Sequence, residues 1–65
     1  MPPKMSYSQL FEQAVLTLTR AGISHAKREA LWILESGLQV TRLDVLIRSR
    51  EFVNQDACHR TLELL

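Results

Sequence analysis

Apolar residues along this chain recur with a helical period in four separate stretches, and strand-like alternation is not sustained anywhere. In the first stretch Tyr7, Leu10, Phe11, Ala14, Val15 and Leu18 fall at i, i+3, i+4, i+7, i+8 and i+11, one stripe of a 3.6-residue repeat. Ser6 stands before this stripe with Gln9 three residues on, the spacing of a capping box. Met5 and Leu10 flank it as a hydrophobic staple. Gly22 can take the left-handed conformation that ends a helix, and Ile23 can fold back on Leu18 in a Schellman motif. The first helix is therefore expected to stop near Ala21.

Ser24 follows as the expected cap of a second helix, which leaves a connection of about three residues and forces a tight corner. The main stripe of this helix is Ala26, Ala30, Ile33, Leu34 and Gly37, widened on one flank by Leu31 and Leu38. Trp32, the only tryptophan, lies nearly opposite. Another helix is expected to cover it as core, the alternative being an indole exposed for a partner. After Gly37 the chain is expected to turn, and beyond this bend Thr41 with Asp44 reads as a second capping box and Val40 with Val45 as a second staple. They open a short third helix whose apolar face is expected to be Leu43, Leu46 and Ile47, before Arg48-Ser49-Arg50-Glu51 breaks the pattern.

Asn54 caps a fourth helix, with Asp56 in its first turn favoured by the helix dipole. Cys58, Leu62 and Leu65 form its stripe, beside Ala57, Thr61 and Leu64. The pattern ends on Leu64 and Leu65 with no glycine, proline or basic last turn, so this helix is expected to continue in a longer polypeptide. The fold expected is an all-α bundle of four helices, the front part of a five-helix domain. Residues 1–5, with Pro2-Pro3, form a loose tail and residues 6–65 form the domain.

Composition sharpens this picture only in places. Sixty-five residues make one small domain, whose core supplies a net stability of only about 3–5 kcal/mol. A single cysteine cannot form an internal disulfide, no apolar run approaches the roughly 20 residues that span a bilayer, and the first residues lack a signal core. The chain is therefore expected in the cytoplasm, away from membranes. Eight basic and seven acidic side chains give a net charge of +1, which argues against nucleic-acid binding driven by phosphate attraction.

Chemistry is sparse. No glycine-rich loop follows a strand, so nothing here cradles a nucleotide or S-adenosylmethionine. Cys58 and His59 are adjacent on a helix and point about 100° apart, poor geometry for one metal ion. His25 has no nucleophile or carboxylate placed by sequence to make it a general base, and Glu29 and Glu35 do not share a helical face. Catalytic, cofactor-binding and metal residues are therefore expected to be absent. The basic residues Lys27, Arg28, Arg42, Arg48 and Arg50 are either a solvated face or a surface that meets a partner's carboxylates or phosphates.

The run Ala26-Lys27-Arg28-Glu29-Ala30-Leu31-Trp32-Ile33-Leu34-Glu35, then Thr41-Arg42 with Val45-Leu46, then Asn54-Gln55-Asp56 before a leucine-rich helix, resembles the N-terminal helical domain of HemK/PrmC-type methyltransferases. These are protein-(glutamine-N5) methyltransferases of class 1 peptide chain release factors. The likeness covers the chain from Ser6 onward, and the order and spacing of the four helices carry it. It implies a small bundle ahead of a Rossmann-like catalytic domain that binds S-adenosylmethionine and methylates the glutamine of the release factor's Gly-Gly-Gln loop. This domain would help to engage and orient the protein substrate. Two positions depart from the family pattern: Gln39 stands about where many members place a glycine, with Gly37 two residues earlier, and Leu31 stands where many carry a polar residue. Arg42 matches the family's arginine after the bend, either as a corner-fixing residue or as a substrate contact.

Two other classes fit parts of the pattern. A helix-turn-helix DNA binder would use Gly22-Ile23-Ser24 as its turn, but Leu31 and Trp32 interrupt the polar face a reading helix needs. A free-standing helical adaptor or dimerisation module would account for an open apolar face on the fourth helix without a longer chain.

Overall fold

A computed structural model describes residues 5–65 of the chain; of the loose tail expected over residues 1–5, residues 1–4 lie outside the described residues and Met5 packs against the core. The helices are α1 (Tyr7–Arg20), α2 (Ala26–Leu38), α3 (Arg42–Ile47) and α4 (Gln55–Glu63). α2 is the central element and packs against α1, α4 and α3. The fold is all-α, as the hydrophobic period predicts.

α1 begins at a fully satisfied N-terminus. The Ser6 hydroxyl accepts from the Gln9 N–H at 3.2 Å, and the Ser6 N–H donates to Gln9 Oε1 at 2.9 Å, completing the capping box. The two donors between them find partners far away in the chain: Tyr7 N–H donates to the Glu51 carbonyl and Ser8 N–H to the Ser49 carbonyl, each at 3.0 Å. Val53 N–H in turn donates to the Met5 carbonyl at 2.8 Å, and Ser6 pairs with Phe52 in an isolated antiparallel bridge. The α3–α4 connection thus acts as a strap over the start of α1. A helix normally leaves four such donors orphaned, and backbone carbonyls carry no residue signature, so this strap is invisible to sequence patterning.

At the other end α1 closes as expected. Ile23 N–H donates to the Leu18 carbonyl and Gly22 N–H to the Thr19 carbonyl, each at 3.0 Å, with Gly22 at φ 83°; this is the Schellman pair. The start of α2 differs from expectation. His25, not Ser24, is the N-cap, and it makes no side-chain capping hydrogen bond. The Schellman turn consumes Gly22 and Ile23, so Ser24 falls in the turn one residue too early to reach the helix donors.

α2 runs through Gly37 and turns at Gln39, which adopts the left-handed conformation (φ 56°, ψ 46°). The bend therefore sits at Gln39, two residues beyond Gly37, and glutamine holds the left-handed conformation at a backbone cost of about 1–2 kcal/mol. Gly37 has a different task. A Cβ there would clash with Thr61 Oγ1 and lie 3.0 and 3.1 Å from Thr61 Cβ and Cα, so the missing side chain lets α4 approach α2 closely. Thr61 is fully buried, and its hydroxyl donates to the Ala57 carbonyl at 2.8 Å, leaving no polar atom orphaned at the crossing.

The core is Leu10, Ala14 and Leu18 from α1, Ala26, Ala30 and Leu34 from α2, Val45 from α3, Val53 from the strap and Cys58 from α4. Met5, Val40, Leu31, Leu38 and Leu62 pack around it, as the staples and flanks predict. Fully burying a leucine such as Leu10 or Leu34 contributes about 1.5–3 kcal/mol, a large share of what so small a domain can hold. One core expectation fails, and one apolar face turns outward. Trp32 is 63% exposed, because the other helices meet the Ala30–Leu34 side of α2 and none covers its outer face. Leu43, Leu46 and Ile47, the apolar face expected of α3, are 63, 64 and 70% exposed, and Val45 is the residue that α3 buries. Among the described residues no helix is long and apolar enough to cross a membrane.

Candidate partner-binding surface

The outward face of α3 follows from its own first turn. Thr41 Oγ1 accepts from the Asp44 N–H at 3.1 Å, and the Thr41 N–H and hydroxyl donate to Asp44 Oδ2 at 3.2 and 3.0 Å. With the cap fixed, Val40 packs on the core and Val45 is driven into it. At about 100° per residue Leu43 and Ile47 then lie about 200° from Val45, and Leu46 about 100° from it. A helix of six residues has one wall to pack against, and the staple decides which side that is. The apolar stripe at i, i+3 and i+4 is left to solvent.

This stripe borders a groove. Ser8, Phe11, Leu31, Val45, Leu46 and Ser49 line a concavity of about 350 Å³ between α1, α2 and α3. A neighbouring one of about 360 Å³ is lined by Phe11, Glu12, Val15, Leu16 and Lys27, so Phe11 belongs to both. Leu31 forms part of this apolar floor and packs against the core. Large exposed apolar groups that cluster like this mark interaction surfaces more often than scattered single ones do.

The basic residues singled out from sequence fall in two groups. Lys27 and Arg28 lie in the first turn of α2, lining a shallow hollow with Ile23, Ser24 and His25. Arg42 opens α3 beyond the other end of α2, about 16 Å of helix away, and Arg48 and Arg50 follow α3. All five are exposed. Arg48 approaches Asp44 at 3.9 Å, a weak exposed pair, whereas Arg42 and Arg50 have no carboxylate within 4.0 Å among the described residues. The Thr41 backbone N–H, then its hydroxyl, with a smaller pull from Arg48, hold the Asp44 carboxyl below the usual carboxylate range.

Groups that could do chemistry are turned to other uses. Cys58 is buried, and desolvation pushes its thiol pKa up, so it stays a neutral core side chain. Its neighbour His59 faces solvent and meets Glu63 at 3.0 Å. His25 is exposed at the corner. Among the described residues no group of three or more His, Cys, Asp or Glu is placed to hold a metal ion.

The outward stripe and the floor around Phe11 are the features that periodicity alone misses. The signal that could have found them is the Val40–Val45 staple, which fixes the inward direction before the stripe is counted.

Compared with known proteins, residues 9–65 match the family model described as the PrmC N-terminal domain. No curated protein and no solved structure matches the chain.

Proposed function

Because the chain belongs to the PrmC N-terminal domain family, we propose that it is the substrate-engaging domain of a protein-(glutamine-N5) methyltransferase that modifies the Gly-Gly-Gln glutamine of class 1 peptide chain release factors. The match over residues 9–65 carries this reading. S-adenosylmethionine would be bound, and the methyl group transferred, by the parent enzyme's own C-terminal catalytic domain. This chain's residues supply binding and orientation only.

The physical logic is that of remote binding energy. Contacts far from the reacting amide help to hold the glutamine at the methyl donor, so that part of the entropic barrier is met before the chemical step. The exposed apolar surface between α1, α2 and α3 supports a macromolecular partner. A full-length enzyme lacking residues 6–65 should lose activity toward intact release factor far more than toward a short Gly-Gly-Gln peptide; equal losses on both would refute the positioning role.

The α3 stripe would also suit a free-standing dimerisation module, and sedimentation separates the two, since a tight dimer of this chain would favour the adaptor. A DNA-reading role for α2 has less support. Exposed Trp32 interrupts the face on which a recognition helix needs polar donors.

A further inference from the structure

The geometry points to the outward stripe of α3, Leu43, Leu46 and Ile47 with Arg42 and Arg50 at its rim, as the surface that docks an apolar, carboxylate-bearing segment of the protein substrate. This rests on the proposed function and names the residues through which it acts.

Three observations choose the occupant. First, the stripe is contiguous: Leu43, Leu46 and Ile47 fall at i, i+3 and i+4 of α3, Arg42 opens the same helix, and Arg50 follows in the turn three residues beyond its end. Second, the uncommitted charge at the rim is positive. Asp44 is turned back to the Thr41 cap and to Arg48, while exposed Arg42 and Arg50 have no carboxylate within 4.0 Å among the described residues. Glu51, next to Arg50, is the acidic side chain that tempers this field, and its backbone carbonyl is tied to Tyr7. Third, the groove floored by Phe11 and Leu31 opens beside Leu46, a socket for an apolar side chain from the partner.

A second copy of the chain fits less well. A two-fold contact centred on this stripe would bring the arginines of both copies to one interface, a like-charge meeting that costs affinity. A segment with aspartate or glutamate beside its apolar residues meets both halves of the surface, the arginines binding its carboxylates in their fork geometry.

The test uses the full-length parent enzyme with two sets of substitutions, Leu43→Ser/Leu46→Ser/Ile47→Ser and Arg42→Glu/Arg50→Glu, assayed on intact release factor and on a short Gly-Gly-Gln peptide. Each set should raise KM for the intact protein by about tenfold or more, with kcat and all peptide kinetics unchanged. Added salt should raise KM for the unsubstituted enzyme and have less effect on the arginine variant. Equal losses on peptide and protein would place the stripe against the enzyme's own catalytic domain and overturn the assignment. Unchanged KM for the intact protein would overturn it too, as would a dimer of the unsubstituted enzyme that the leucine set dissolves. If the leucine set fails to fold, the arginine set decides alone. Deletion of residues 6–65 separates the two levels. If deletion spares the protein-to-peptide ratio, the proposed function fails; if deletion lowers that ratio and both variant sets preserve it, only the α3 surface fails.

Discussion

α1 and α3 start with the same local device and end with opposite outcomes. Each opens on a reciprocal capping box, Ser6 with Gln9 and Thr41 with Asp44, and each has an apolar residue just before the cap that packs on the core. Each also carries an apolar stripe at helical spacing. α1 buries Leu10, Ala14 and Leu18, whereas α3 exposes Leu43, Leu46 and Ile47. The difference lies in what surrounds them. α1 is fourteen residues long, has α2 along its side and the 49–53 strap across its first turn; α3 has six residues and sinks Val45 alone. A stripe establishes that a helix is amphipathic. Which way it faces is decided by neighbours and by the staple.

The largest effect expected from this contrast comes from truncating each kind of site. Leu34→Ala, in the fully buried centre, should cost about 2–5 kcal/mol, enough to unfold much of a domain this small, while Ile47→Ala on the exposed stripe should shift stability by no more than about 0.5 kcal/mol. Urea titration of both variants checks this. Comparable losses would mean that α3 packs inward in solution.

A smaller effect probes the α2–α4 crossing that α3 lacks. Gly37→Ala gains about 1 kcal/mol of helix propensity but drives a methyl group into Thr61, an overpacking cost of about 1–3 kcal/mol. The single variant should therefore lose stability, and adding Thr61→Ala, which removes the clashing oxygen, should restore part of it. Additive losses in that double-mutant cycle would show that the two positions do not touch.

These contrasts also show where the sequence was readable. The Schellman end at Gly22, the two capping boxes, the Asn54 cap, whose Oδ1 accepts from Asp56 and Ala57 N–H at 2.9 and 3.2 Å, and the inner faces of α1 and α2 are local patterns, and each appears as expected. The strap from Ser49 to Val53 was not readable, because it acts through backbone carbonyls. Trp32 was misplaced because a helical wheel counts apolar residues but not the helices available to cover them. The left-handed turn at Gln39 was masked for the opposite reason: Gly37, the residue that looks like a helix stop, is a contact residue inside α2.

Of the surface, the five basic residues were legible as types and as two sets along the chain, but not in their spatial relation. Lys27 and Arg28 at the start of α2 and Arg42, Arg48 and Arg50 around α3 follow from their places in the sequence, whereas the fold shows that the two sets stand at opposite ends of α2 and form no single patch. The apolar stripe of α3 was legible as an apolar face but its outward direction was not, since leucine and isoleucine at helical spacing look the same whichever way they face.

The direction of that stripe is the claim on which the docking surface stands, and methyl NMR of the chain with a soluble paramagnetic agent measures it directly. The methyl signals of Leu43, Leu46 and Ile47 should broaden strongly, while those of Leu10, Leu34 and Val45 stay sharp. Protection of the first three together with broadening of Val45 would contradict the account.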